Sequence, residues 1–273
     1  MTKALFGLEG KRVIVLGGGL GMGEATCNLL ADLGCNVAVL DIIPERAERV
    51  AADITKKGVR GLPVICDVLN DEALVAAIAR TERDLGPLDG MATIVGMSYM
   101  GSSLDLPMEN WDTDHRRNLR YIFLAARELA RSLIARGSSG SIASVASVDG
   151  IRASTNHASY GAAKAGLIHL AKSLAGEWSQ YGVRFNVVAP GGMVTPRAPL
   201  GDAAKEKQNL QLVPMQRRGF VDDIANALVF FLSNLSKYVT GQTLAVDGGL
   251  TAVGPIDYSR FATMKGEMRG QKE

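Results

Sequence analysis

The sequence has few cysteines and few histidines, and neither residue type is spaced as a metal site requires. The three cysteines, an odd number, include no Cys-x-x-Cys pair, and the three histidines show no paired pattern beside them. We therefore predict neither a metal site nor a disulfide framework. Unpaired thiols are typical of a reducing compartment, so we expect a cytoplasmic location. The residues concerned are Cys27, Cys35, Cys66, His115, His157 and His169.

Long apolar runs and clusters of one charge are also lacking. No run of about eighteen apolar residues occurs and the N-terminus holds no long apolar stretch, which predicts neither a membrane span nor a signal peptide. Thirty basic and 28 acidic residues leave a formal charge of +2 without a Lys/Arg cluster, so we expect no nucleic-acid partner. With 47% hydrophobic residues over 273 positions and no Pro/Gly/Ser-rich linker, we predict one domain over residues 1–273.

What the sequence does contain is a regular alternation of apolar runs, which predict strands, and periodic apolar positions, which predict helices. The predicted strands cover residues 13–16, 36–40, 62–65, 91–95, 142–146 and 184–188; the predicted helices cover 24–33, 44–57 and 71–84, a long helix with an apolar face of Leu119, Phe123, Ala126, Ala130 and Leu133, and a helix that begins near Tyr160. Such an order indicates a parallel sheet covered on both faces, a doubly wound α/β fold of the Rossmann type.

A glycine cluster follows the first predicted strand and opens the first predicted helix. Residues 17–23 read Gly-Gly-Gly-Leu-Gly-Met-Gly. Glycine permits the positive φ angles of a tight turn and lets the backbone approach a pyrophosphate, which a helix N-terminus attracts. This context predicts a dinucleotide site, with a glycine turn that binds nothing as the alternative.

Asp41 ends the second predicted strand, eighteen residues after Gly23. A carboxylate at about this offset contacts the ribose hydroxyls of the adenosine, where a 2′-phosphate would meet like charge. Neither Ile42 nor Ile43 supplies a basic side chain for such a phosphate. We therefore predict NAD(H) rather than NADP(H), with a plain turn residue before Pro44 as the alternative for Asp41.

Tyr160 and Lys164 stand four residues apart, with Ser147 thirteen positions before Tyr160. On a helix, residues four apart share one face. An ammonium within about 4–6 Å favours the phenolate and can lower the pKa of a tyrosine from near 10 toward the range of acid/base catalysis. The spacing therefore predicts that Lys164 lowers the pKa of Tyr160.

Together these residues resemble those of the short-chain dehydrogenase/reductase family, and the resemblance runs from about residue 10 to residue 249. The matching positions are the glycine turn at Leu16, Gly17, Gly21 and Gly23, the strand-three aspartate at Asp67, the catalytic set at Asn118, Ser147, Tyr160 and Lys164, the stretch 184–191 before the nicotinamide-side loop, and the closing strand within 240–249.

The resemblance implies reversible hydride transfer between a nicotinamide and a carbonyl or secondary alcohol. Tyr160 would exchange the alcohol proton, Lys164 would also hold the nicotinamide ribose, and Ser147 would hydrogen-bond the reacting oxygen. Asn118 would connect the site to solvent through water. The cofactor-binding residues implied are Gly17, Leu20, Gly21, Met22, Asp41, Asp67, Val68, Gly96, Tyr160, Lys164, Pro190, Gly191 and Val194, with no metal.

The resemblance also implies a small-molecule substrate, a homotetramer packed through the long helices and the closing strand, and a lid at about 194–215. The tail at 250–273 either reaches a neighbouring subunit or is disordered. Most candidate pocket residues are apolar, which predicts a hydrophobic secondary alcohol or ketone, including cyclic or aromatic ones. These candidates are Ser98, Tyr99, Met100, Val148, Ile151, Arg152, Gly192 and Met193. His157 either faces this pocket or is a structural histidine, and we favour the latter.

Two departures from the family pattern matter. Leu16 replaces a threonine, and residues 93–96 read Thr-Ile-Val-Gly instead of Asn-Asn-Ala-Gly. In the family the threonine bonds to that backbone, so we predict an apolar contact between Leu16 and the Ile94 region in its place. Two alternative functions stay open: a 3-oxoacyl thioester reductase, a class that generally uses NADPH, and a catalytically idle dinucleotide-binding scaffold protein.

Overall fold

Seven parallel strands form the central sheet of the protein. The structure, a computed structural model, describes residues 3–254, so most of the predicted tail at 250–273 lies outside the described residues. The sheet strands are β1 (Arg12–Leu16), β2 (Asn36–Asp41), β3 (Gly61–Ile65), β4 (Gly90–Thr93), β5 (Gly140–Val145), β6 (Val183–Pro190) and β9 (Thr243–Val246), while β7 (Met193–Val194) and β8 (Gly219–Phe220) pair separately. Their order across the sheet is β3-β2-β1-β4-β5-β6-β9, which confirms the predicted doubly wound fold.

Helices cover both faces of this sheet. They are α1 (Met22–Asp32), α2 (Pro44–Lys56), α3 (Asp71–Leu85), α4 (Met108–His115), α5 (Tyr121–Ala135), α6 (Ala158–Trp178), α7 (Ala203–Asn209) and α8 (Val221–Leu232). Side chains of α1, α2 and α8 form one apolar cluster with the sheet, and those of α3, α5 and α6 form the other. Within residues 3–254, no helix combines the length and the apolar character that crossing a bilayer requires.

Helix α2 illustrates why these segments are helical. Pro44 stands in its first turn, where the missing N–H has no intrahelical partner to lose. Ala47, Val50, Ala51 and Ile54 follow at spacings of three and four residues, and all are buried. Burial of this stripe against the sheet, more than helix propensity, stabilises the element.

Several elements were not predicted by the sequence pattern, most of them in the last third of the chain. Helix α8 could have been predicted, because two acidic residues, Asp222 and Asp223, stand in its first turn and an apolar run follows them. Asp223 Oδ2 accepts a hydrogen bond from the Phe220 N–H at 2.8 Å, which closes the helix N-terminus. The other missed elements are 2 to 8 residues long, too short for a period to be read from sequence.

A π-helical turn, Arg116–Arg120, joins α4 to α5. One extra residue in a turn rotates everything after it by about 100° relative to an uninterrupted α-helix. The predicted face is partly wrong within α5 itself: Phe123 is 38% exposed, and Ile122, four residues before Ala126, is buried instead. The three predicted positions farther along α5 are buried as expected.

Leu16 is buried, but its side chain does not pack against Ile94. Leu16 belongs to the cluster with α3, α5 and α6, whereas Ile94 packs against the opposite cluster. Leu16 is paired with Thr93 in the sheet register, so the next residue points to the other face. Ile94 itself meets Leu16 only through a backbone hydrogen bond, from its N–H to the Leu16 oxygen at 2.9 Å. Within the predicted Ile94 region it is the next residue, Val95, that packs against the apolar cluster of Leu16.

Candidate active site

The turn after β1 has the geometry of a phosphate cradle. Gly17 and Gly21 have φ angles of 88° and 61°, which side-chain-bearing residues rarely adopt. A Cβ atom on Gly23 would lie 1.8 Å from the carbonyl oxygen of Gly17, so the backbone passes close to itself here. Gly21 is the N-cap of α1 and has no side chain to occupy the first helical N–H groups. These groups fit an anionic ligand such as a diphosphate.

A cavity of about 480 Å³ extends from this turn along the carboxyl edge of the sheet. Eight predicted cofactor residues line it: Gly17, Leu20, Gly21, Met22, Asp41, Asp67, Val68 and Gly96. Pro190 and Gly191 lie instead at the end of β6, and Val194 lies in β7, while the adjoining Thr195 and Pro196 line the cavity. The size and the lining of the cavity suit a cofactor-sized ligand.

The Asp41 carboxylate and the stem of the Arg46 side chain both adjoin Gly19 near the end of β2. Asp41 accepts hydrogen bonds from the Gly19 N–H at 3.2 Å and from the Ile43 N–H at 3.0 Å. Arg46 lines the same cavity, and sequence reasoning missed it. A Cβ atom added to Gly19 would lie 2.7 Å from the Cβ of Arg46 and 2.6 Å from Oδ2 of Asp41. Arg46 stands three residues after Ile43, about one turn along α2, and this spacing could have predicted that it adjoins the same site.

Three arginines line the cavity, against two carboxylates. Arg46, Arg117 and Arg197 outnumber Asp41 and Asp67 there. This positive balance favours an anionic ligand. Arg117 and Arg197 belong to no sequence motif, so nothing in the sequence predicted them as site residues. Within residues 3–254, no group of three or more His, Cys, Asp or Glu side chains could hold a metal ion.

Ser147, Tyr160 and Lys164 are brought together where β5 ends and α6 begins. Lys164 is buried, and its Nζ donates a hydrogen bond to the Val145 oxygen at 2.8 Å. The same Nζ lies 5.6 Å from the centre of the Tyr160 ring. The Ser147 hydroxyl is near enough to the Tyr160 phenol to lower its pKa, and it accepts a hydrogen bond from the Asp149 N–H at 3.1 Å. The tertiary structure thus gathers three predicted catalytic residues in one place.

Burial dominates the proton affinities of this pair. It raises the pKa of the Tyr160 phenol to about 12, and the neighbouring Ser147 hydroxyl opposes this only in part. It lowers the pKa of the Lys164 ammonium to about 7. The prediction that Lys164 lowers the pKa of Tyr160 is therefore wrong for the chain by itself, since desolvation outweighs the ammonium, which turns to the Val145 oxygen. At neutral pH the phenol is protonated, the form that donates a proton to a carbonyl oxygen.

Lys164 should make stability depend on pH. Its pKa is about 7 when folded against 10.5 when exposed, so between these values only the unfolded chain holds the proton. The free energy of unfolding should therefore rise between pH 7 and pH 8.5, by roughly 1–2 kcal/mol relative to a Lys164→Met variant. Urea denaturation of both proteins at the two pH values measures this difference. Identical pH dependence in the two proteins would contradict the assignment.

Asn118 lies buried in the π-helical turn and holds one unsatisfied atom. Its Nδ2 donates to the Met97 oxygen at 2.7 Å and to the Asp114 oxygen at 2.9 Å. Its Oδ1 is buried and has no hydrogen-bond partner among the described residues. A Cβ on Gly96 would lie 3.0 Å from this Oδ1 and 3.4 Å from Lys164 Nζ, so both atoms border Gly96. The link from Asn118 to solvent stays a prediction.

Two of the predicted pocket residues line a second, smaller cavity. A cavity of about 300 Å³ is lined by Arg152, Gly192, Leu210, Leu212, Val213, Arg217, Arg218, Asp247 and Leu250. Of the predicted pocket residues, Arg152 and Gly192 line this cavity, whereas Val148 and Met193 are buried. Arg218 donates hydrogen bonds to the Ala198 oxygen at 2.8 Å and to Glu206 Oε1 at 3.1 Å. Tertiary packing, invisible in the local pattern, brings charged side chains to the cavity.

Known proteins match almost the whole of this architecture. The family model described as Enoyl-(Acyl carrier protein) reductase matches residues 18–251. The 2,5-dichloro-2,5-cyclohexadiene-1,4-diol dehydrogenase of Sphingobium indicum is 35% identical over 250 residues, which are 90% of this chain and 99% of that protein. The Inactive 2-(S)-hydroxypropyl-CoM dehydrogenase 2 of Xanthobacter autotrophicus is 36% identical over 226 residues, 81% of this chain and 96% of that protein.

A solved structure is similar over the same span. A gluconate 5-dehydrogenase from Burkholderia cenocepacia, in complex with NADP and tartrate, is 32% identical. It matches with a TM-score of 0.86, over 92% of this chain and 100% of that one. The likeness therefore includes both the glycine turn after β1 and the closing strand β9.

Proposed function

The chain belongs to the short-chain dehydrogenase/reductase family, and from that membership we propose an NAD(H)-dependent oxidoreductase of hydrophobic secondary alcohols and their ketones, including cyclic or aromatic ones. The relatives are dehydrogenases acting on CH–OH groups, and this chain is an enzyme of the same kind. The observation that carries the proposal is the convergence of Ser147, Tyr160 and Lys164 at the carboxyl edge of the sheet that bears the glycine-lined cavity.

In the proposed reaction the bound dinucleotide supplies the hydride acceptor or donor. In oxidation the C–H and O–H bonds of the alcohol would break, and Tyr160, in its phenolate form, would accept the hydroxyl proton while a bound dinucleotide would supply the hydride acceptor. In reduction, protonated Tyr160 returns a proton to the carbonyl oxygen. Ser147 hydrogen-bonds the reacting oxygen where charge develops. Lys164 would hold the nicotinamide ribose.

Asp41 supports NAD(H) as the cofactor. Its carboxylate can hydrogen-bond ribose hydroxyls and would repel a 2′-phosphate. Arg46 is a counterargument, since it could pair with such a phosphate, and the Burkholderia gluconate 5-dehydrogenase binds NADP. We favour NAD(H) because two backbone N–H groups hold Asp41 in place, and a phosphate bound to Arg46 would still adjoin that carboxylate.

Several further features belong to the proposal. The segment at about 194–215 would act as a lid, which is supported by the contacts of Arg218 with Ala198 and Glu206. A single domain, a homotetramer and a cytoplasmic location complete it. A thioester reductase is the second candidate, favoured by the description of the matching family model. The idle-scaffold alternative gains an argument from the inactive relative, and the retained Ser-Tyr-Lys-Asn set argues against it.

A cofactor and substrate panel tests the proposal. We expect kcat/KM for secondary alcohols to be at least about tenfold higher with NAD than with NADP, and Asp41→Ala to reduce this ratio by about tenfold because the charge facing a 2′-phosphate is removed. Absorbance of the reduced cofactor measures the rates. Asp53→Ala, which removes a half-exposed carboxylate on α2, is the matched control and should leave the ratio unchanged.

Three results would count against parts of the proposal. A tenfold preference for NADP would refute the cofactor assignment. If thioesters were reduced fastest and bulky alcohols were inert, the thioester reductase would be favoured. Binding of NADH without oxidation by any ketone of a mixed panel would favour the idle scaffold.

A further inference from the structure

Asp149 and His157 form a hydrogen-bonded pair that the proposed reaction does not use. His157 Nδ1 lies 2.7 Å from Asp149 Oδ2, and the Ser154 hydroxyl donates to the other carboxylate oxygen. The side chains of His157 and Asp149 are 18% and 12% exposed. A carboxylate with both oxygens engaged is fixed in orientation, and it fixes the imidazole in turn.

The pair is attached to the catalytic residues on both sides. The backbone N–H of Asp149 donates to Ser147 Oγ at 3.1 Å. His157 is the N-cap of α6, three residues before Tyr160, and the centres of the two rings are 5.4 Å apart. The imidazole therefore borders the space in which the phenol and the serine hydroxyl meet a substrate.

The bond to Asp149 decides which ring nitrogen of His157 can accept. A carboxylate only accepts hydrogen bonds, so Nδ1 carries the hydrogen and Nε2 of the neutral ring is an acceptor. Nε2 lies 3.5 Å from the Ser98 hydroxyl, at the outer limit of a hydrogen bond. The Gly101 N–H, three residues beyond Ser98, donates to the Asn156 oxygen at 3.0 Å and joins this segment to the start of α6. A largely buried acceptor thus faces the gap between the two segments with only a weak partner.

We propose that His157 Nε2 accepts a hydrogen bond from a second hydroxyl of the substrate, close to the reacting carbon, so that the enzyme prefers diols to mono-alcohols. The inference rests on the proposed function, which places the reacting oxygen at Tyr160 and Ser147. A mono-alcohol leaves Nε2 without this bond, and a site built to bond a hydroxyl discriminates against the analogue that lacks it. His157 is then a specificity residue, and Asp149 positions it.

The test compares matched substrates, with NAD and with NADP. The pairs are cis- and trans-1,2-cyclohexanediol against cyclohexanol, and 2,3-butanediol against 2-butanol. In at least one pair, we expect kcat/KM of the wild type to be about tenfold higher for the diol, the factor expected of one hydrogen bond. His157→Asn keeps an amide N–H toward Asp149 but has no atom at the Nε2 position, so it should abolish this preference.

Two further variants separate recognition from folding. His157→Gln places an amide near the Nε2 position and should recover part of the diol preference. If His157→Asn does not fold, His157→Gln is compared with the wild type instead. His169→Asn changes an exposed histidine on the same helix and should leave the ratio unchanged. A purely structural His157 would lower both rates of a pair equally, and a ratio unchanged in His157→Asn and His157→Gln overturns the inference.

The outcomes also distinguish this inference from the proposed function. Absence of a diol preference in both wild-type pairs, whatever the absolute rates, overturns the inference alone. If cyclic alcohols were inert while 2,3-butanediol was still preferred in a His157-dependent way, the inference would be supported and the cyclic substrate class would be refuted. The same preference seen with NADP rather than NAD would support the inference and refute the proposed cofactor.

Discussion

Replacing Tyr160 with phenylalanine is expected to lower kcat by about 100- to 10,000-fold, while NADH binding stays as in the wild type. The range is that of a positioned acid/base group. Phenylalanine keeps the aromatic ring, which lies 5.4 Å from the His157 ring and 5.6 Å from Lys164 Nζ, so the packing of the site is retained. Only the exchangeable proton is removed. Steady-state kinetics and NADH fluorescence titration measure the two quantities separately.

Tyr181→Phe is the matched control for this experiment. Tyr181 follows α6 and is 52% exposed, so removal of its hydroxyl should leave kcat unchanged. A Tyr160→Phe variant with kcat near that of the wild type would overturn the acid/base assignment. A variant that lost NADH binding as well would show that the phenol hydroxyl also holds the cofactor, a role that the family resemblance implies.

Gly23→Ala is expected to destabilise the protein by roughly 1–3 kcal/mol and to weaken NADH binding at least about tenfold. The new Cβ would stand 1.8 Å from the carbonyl oxygen and 2.7 Å from the carbonyl carbon of Gly17. Backbone atoms cannot rotate away as a side chain would, so the turn itself has to open. Urea denaturation measures the stability, and fluorescence titration measures the Kd for NADH.

Gly176→Ala provides the opposite case in the same protein. Gly176 lies within α6, and no atom stands within 4 Å of the position that its Cβ would take. Alanine is a better helix former there, so the variant should gain up to about 1 kcal/mol and bind NADH as before. If Gly23→Ala bound NADH with the Kd of the wild type, the turn after β1 would not be the phosphate cradle.

Local rules account for the parts of the fold that could be predicted. Strands β1, β2 and β6 follow nearly continuous apolar runs, since a strand buried on both faces tolerates few polar side chains. The same rules misplaced one position of α5, because the buried stripe of that helix passes through Ile122 and leaves Phe123 38% exposed. They could not tell which residue of the Ile94 region shares a face with Leu16, because sheet pairing decides this: Val95 packs against the cluster of Leu16 and Ile94 against the opposite one.

The sequence by itself determined the doubly wound fold, the place of the glycine turn and the shared helix face of Tyr160 and Lys164, because each depends on residues close together in the chain. Only the tertiary structure decided that burial raises the pKa of Tyr160 and lowers that of Lys164. It alone placed Arg46 beside the strand-end carboxylate and paired His157 with an aspartate eight residues away. Desolvation and contacts between separate elements exist only after packing, so no local pattern could report them.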